Sequence, residues 1–186
     1  MSNKMLGLFG VIGGAALMSI EIRHNLLGTV LNGATIDSFD EVLYIIWSLG
    51  LMATFWGIYR LGVTGSKTWM RLVPFVAIIG FAAMAIGSIV DILGFSTASI
   101  NPIFIVAWPL ILIGTLLTAI FALISRTWAG WRKFAPLLVV LAIPLMLLMN
   151  QVIGEASTAL VGLSWIFLGF AVSTSEPTFS LQTSQA

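Results

Sequence analysis

Cysteine is absent from the 186 residues and histidine occurs once, as His24. The first absence excludes disulfides, thiolate metal sites and cysteine nucleophiles. The second excludes a bis-His haem or a three-histidine zinc site within one chain. A His–Met haem is left open by eight methionines, which stand where core or lipid-facing methionine is expected. There is no glycine-rich phosphate loop, no G-x-S-x-G and no paired acidic motif on a basic loop. The expectation is therefore no cofactor, no metal and no catalytic residue, with a membrane-embedded lipid enzyme only a third reading.

Charge is the other scarcity. Asp, Glu, Lys and Arg make up 8% of the chain and hydrophobic residues 59%, with mean hydropathy +1.09. Soluble domains carry about 25% charged residues. So few charges cannot cover a water-facing surface, and the chain reads as an all-α, polytopic integral membrane protein. Its net charge of +1 gives no reason to expect a nucleic-acid partner.

Spanning the hydrocarbon takes about 20 apolar residues as a helix, because backbone polar groups in lipid must be satisfied internally. Six runs qualify: 5–28, 42–61, 72–94, 102–124, 134–153 and 158–173, the last short. They define one transmembrane domain over 1–173 and a disordered tail over 174–186. Lys4 and the apolar run after it have the look of a signal peptide. Leu17 and Met18 stand where a cleavage site wants small residues, so an uncleaved first helix is expected. Gly28, Gly94 and Gly154 follow apolar runs as C′ glycines do. Ser38-Phe39-Asp40-Glu41 reads as a capping box and Asn101-Pro102 as N-cap plus N1 proline. Pro144 is expected to kink the fifth span.

The charges segregate by loop. Lys4, Arg60, Lys67, Arg71, Arg126, Arg132 and Lys133, seven of the 8 basic residues, fall at one set of helix ends. Glu21, Asp37, Asp40, Glu41, Asp91 and Glu155 fall at the other, with only Glu176 on the basic side. The positive-inside rule then places both termini in the cytoplasm, and the expected location is a prokaryotic plasma membrane. Trp69, Trp128 and Trp131, beside the basic loops, read as an interfacial belt.

A threefold repeat is also legible. SKTWMRLVPF (66–75) resembles SRTWAGWRKFAP (125–136), and WSLGLMAT (47–54) resembles WPLILIGT (108–115). NLLG, DILG and QVIG close the three outward spans, and Gly14, Ala16, Met18 and Ile20 fall in register with Gly80, Ala82, Met84 and Ile86. The unit is a helical hairpin, repeated in tandem and parallel over 5–65, 66–125 and 126–173. Gly10–Gly14 and Ala83–Gly87 are small-xxx-small pairs that let helices approach closely, within one chain, in a homo-oligomer or against other membrane subunits.

The membrane midplane, near Ala16, Thr54, Ala83, Leu112, Ile143 and Trp165, has no ionisable residue within a turn. Ion-coupled carriers usually keep carboxylates there. The polar residues gather instead toward the outer ends. IEIRHN (20–25) interrupts an uncharged run, and Glu21, His24 and Asn25 share a helical face. Three readings follow. The helix stops near Ser19 and the segment is an outer loop. Or these residues join Asp91 and Gln151 in an outward vestibule that binds a small or lipidic molecule. Or they form an internal network without a ligand. In the vestibule reading Glu21, His24, Asn25, Asp91 and Gln151 are the binding residues, and His24 makes the site sensitive to mild acid. The competing functional class is a structural or assembly subunit that packs against other membrane proteins.

Overall fold

The computed structural model describes residues 1–23, 38–95, 101–153, 157 and 159–175, with only the backbone described for Glu21 and for 151–153. Among the described residues seven α-helices run in the order α1 (Asn3–Ile22), α2 (Ser38–Leu61), α3 (Thr68–Leu72), α4 (Pro74–Ile92), α5 (Pro102–Ser125), α6 (Ala135–Ile153) and α7 (Ala159–Ser173). A short 3₁₀ helix, Gly130–Phe134, leads into α6. No strand occurs among the described residues. Five helical segments are long and apolar enough to cross a membrane, α3 and α4 together forming one of them. The sixth, α7, has 15 residues. At ~1.5 Å per residue it is about 22 Å long, short of a ~30 Å hydrocarbon core.

Local chemistry sets the helix ends. Ser2 Oγ accepts from the Met5 N–H at 3.3 Å and opens α1. Gly94, at φ +69, closes α4 with a Schellman pair, Gly94 N–H to Asp91 C=O and Phe95 N–H to Val90 C=O. Gly62, at φ +63, closes α2 the same way through Tyr59 and Ile58, a cap the sequence reading overlooked. Gly28 and Gly154 lie outside the described residues. Helix α6 continues through Pro144, and α5 carries a second internal proline, Pro109.

Burying leucine gains little when the alternative is lipid, so close backbone approach and shape decide how these helices pair. Helix α1 lies between α2 and α7, with Gly13 against Gly50 on one side and Gly7, Gly10 and Gly14 against Gly169 and Gly162 on the other. Both pairings are antiparallel, as is that of α4 with α5. Gly14 and Gly80 make matching contacts. A Cβ on Gly14 would stand 2.7 Å from Ile166 N and 3.0 Å from Gly162 O, and one on Gly80 would stand 2.7 Å from Ile111 N and 3.0 Å from Ala107 O. Neither position admits a side chain without moving backbone. Thr54, Thr115 and Thr118 return their hydroxyls to Gly50, Ile111 and Gly114 carbonyls, which satisfies them in apolar surroundings.

An aromatic hub joins four helices. The Trp47 ring meets Phe81 at 5.4 Å, Trp108 at 5.7 Å and Trp165 at 6.4 Å, and Phe81 meets Trp165 at 5.6 Å. All but the tilted Trp47–Trp108 pair are edge-to-face, and such pairs contribute roughly 0.5–1.5 kcal/mol each beyond the area they bury. Outside the hub, Ile105, Leu147 and Leu148 are exposed, as lipid-facing residues would be. The three tryptophans expected to form an interfacial belt differ in exposure. Trp69 and Trp131 are exposed, but Trp128 is buried at 5% exposure.

Candidate functional site

Helix α1 runs through Glu21 to Ile22, and Arg23 still has helical dihedrals, its N–H reaching the Ser19 and Ile20 carbonyls. The reading in which the helix stops near Ser19 is thereby corrected: nothing in SIEI breaks the ladder. Arg23 makes its own contact. Its guanidinium crosses to α2 and binds Asp40 at 2.7 Å, over the Phe39 ring at 5.2 Å. Asp40 is 1% exposed, so this is a buried carboxylate met by a half-buried cation. Breaking such a pair from one side strands a charge and costs about 3–5 kcal/mol.

Glu41, next in α2, is buried at 8% exposure. Ser38 is already helical, and among the described residues Glu41 makes no bond back to it, so the capping-box reading fails. The Glu41 carboxyl group instead faces Ser88 of α4, with Asp91 and Asp40 as its nearest charges. Proximity here is not hydrogen-bonding geometry. Glu41 Oε2 and Ser88 Oγ are both buried without a partner among the described residues.

Asp91 is the one expected site residue whose side chain is described. It is half-buried in the last turn of α4 and accepts from Asn101 Nδ2 at 2.9 Å. Asn101 caps α5 through the Ile103 N–H at 3.0 Å and donates a further bond to Gly87 C=O at 3.1 Å. One asparagine thus clamps the end of α4 to the start of α5. His24 and Asn25 lie outside the described residues, as do the side chains of Glu21 and Gln151.

Around Asp91 the described residues assemble a cluster that the sequence does not single out. Asp40, Glu41, Ser88 and Asn101 join Asp91, and α2 supplies its centre. Among the described residues the cluster holds three carboxylates, Asp40, Glu41 and Asp91, and one guanidinium, Arg23, which is bound to Asp40. Orphan polar atoms continue inward. Ser48 is two turns along α2 from Glu41, and Ser48 Oγ, Trp47 Nε1 and Trp165 Nε1 are all buried without partners among the described residues. Such atoms are rare in native proteins and mark positions where water, an ion or a ligand group belongs. Among the described residues no three His, Cys, Asp or Glu side chains form a group able to hold a metal ion. The arrangement can accept hydrogen bonds from a donor or neutralise a positive charge. It offers no nucleophile–base pair.

Comparison with protein-family models, with curated proteins and with solved structures gives no match to this chain.

Proposed function

We propose that the chain is an integral membrane protein whose polar site, at the acidic ends of α2 and α4, binds a small or lipidic molecule carrying a positive charge or hydrogen-bond donors. The observation that carries this reading is Glu41. It is a buried carboxylate with one unpartnered oxygen beside an equally unpartnered serine hydroxyl. A carboxylate at that depth is stabilised by pairing, and the only described guanidinium of the cluster is bound to Asp40. The segregation of basic and acidic residues supports a site that opens outward, both termini in the cytoplasm and a prokaryotic plasma membrane as location. The matched contacts of Gly14 and Gly80 favour tandem hairpins as the origin of the fold. Transport of the bound molecule is the fuller form of the proposal.

One observation favours the assembly reading. In Gly130–Asn150, mostly α6, 22% of an apolar 18-residue window is buried within the chain, against 44% in the corresponding windows of α1, α2 and the α3–α4 segment. Extraction in mild detergent followed by native mass spectrometry separates the two readings. A lone chain with a small non-protein adduct supports binding. Stoichiometric foreign subunits on a bare chain contradict it.

A further inference from the structure

The basic end of the bundle holds a second polar cavity, of about 270 Å³, lined by Thr127, Trp128, Ala129, Arg132, Thr174 and Ser175. Its hydroxyls are already engaged. Thr174 donates to Phe170 C=O at 2.9 Å, Ser175 to Ala171 C=O at 2.7 Å, and Thr127 Oγ1 lies 3.2 Å from Ser125 Oγ. Among the described residues two side chains keep donors without a partner. Trp128 Nε1 is buried with none, in a side chain 5% exposed. Arg132 is held by its Nε, which donates to Thr174 Oγ1 at 3.3 Å, and its two terminal amino groups have no carboxylate partner among the described residues. Arg126 and Lys133 flank the cavity in sequence, and the described carboxylates Asp40, Glu41 and Asp91 stand at the opposite end of the bundle.

We infer that this cavity binds a phosphate-type oxyanion. A guanidinium fixed through Nε presents its amino edge, the geometry that suits phosphate oxygens, and Trp128, which lines the same cavity, holds a neutral indole donor with no partner among the described residues. The carbonyl end of α7 opposes an anion, so Arg132 carries the site. Trp131, exposed and stacked on Phe170 at 6.0 Å and 17°, suits headgroup depth. The same chemistry is offered by the phosphodiester of an anionic phospholipid and by free phosphate.

The test is thermal unfolding of the full chain in mild detergent, titrated with phosphatidylglycerol, with inorganic phosphate, and with sodium chloride at matched ionic strength. Phosphatidylglycerol or phosphate should raise the midpoint where chloride does not, and whichever acts identifies the source. Arg132→Gln should weaken the effect at least tenfold. Trp128→Phe, which keeps the ring and removes the donor, should weaken it severalfold, while Lys133→Gln should leave it within twofold. The inference fails if chloride acts equally, or if a folded Arg132→Gln responds as the wild type does. It also fails if only Glu176→Gln responds, since the chain's own carboxylate would then be the occupant.

Discussion

Replacing Asn101 with alanine removes three interactions at once, and their sizes can be set against one another. The lost N-cap to Ile103 is worth about 1 kcal/mol. The bond to the Asp91 carboxylate, as a charge-assisted one, is worth about 1.5–3 kcal/mol, and the lower end applies because water reaches a half-buried Asp91. The Gly87 carbonyl is a helical acceptor with a second lone pair, so losing its amide donor adds little. The expected loss is therefore about 2–3 kcal/mol. Reversible unfolding in mixed detergent–dodecyl sulfate micelles, followed by tryptophan fluorescence, measures it. Asn101→Ser keeps the cap without the reach and should recover about 1 kcal/mol. In a double-mutant cycle, Asp91→Ala should cost about 1–2 kcal/mol less on the Asn101→Ala background than alone. A loss below about 0.5 kcal/mol for Asn101→Ala would refute the clamp between α4 and α5.

Gly14→Val and Gly80→Val should destabilise to a similar degree, by roughly 1–3 kcal/mol or more, because both push a side chain into a neighbouring helix backbone; a tolerated variant at either site, in the same unfolding assay, would break the equivalence of the two contacts. Glu41→Gln should alter ligand retention while leaving membrane insertion intact, and Glu41→Leu should abolish retention without lowering stability, since an apolar replacement of a buried charge is often neutral; retention unchanged in Glu41→Leu would make the cluster purely structural. The cysteine-free chain suits single-cysteine labelling. Phe95→Cys should label from outside intact cells and Lys67→Cys only after permeabilisation, both positions being exposed; external labelling at position 67 would invert the proposed orientation.

The helices were legible because each is a long apolar run, and α4 and α5 end or begin where Gly94 and Asn101 predict. The start of α2 was misplaced by about a turn because Asp40 and Glu41 look like solvated helix-start residues. Their spacing carried the missing signal. Glu41, Ser48 and Leu51 lie on one face with Trp47, and that face is buried. What no single-chain pattern carries is the partner across the bundle. Arg23 reaches Asp40 from another helix, and Ser88 faces Glu41 from a third. Trp128 looked like Trp69 and Trp131 in sequence. It is buried because Arg132, Thr174 and Ser175, distant or separately placed, build a cavity around it. Asp91 stands among the expected binding residues, and its described partner is Asn101, a helix cap to which the sequence assigns a local role only.

The central claim is that the Glu41–Ser88 site is reached from outside and prefers positive charge. Ser88→Cys is nearly isosteric, sits in a side chain that is 0% exposed, and would be the chain's single thiol. Its reaction in intact cells with a cationic and with an anionic methanethiosulfonate, both added outside, measures access and charge preference together. The account predicts that the cationic reagent modifies the thiol at least tenfold faster than the anionic one and that Glu41→Gln narrows the difference. A thiol that reacts with neither reagent until the protein is denatured, or with both at equal rate, would contradict it.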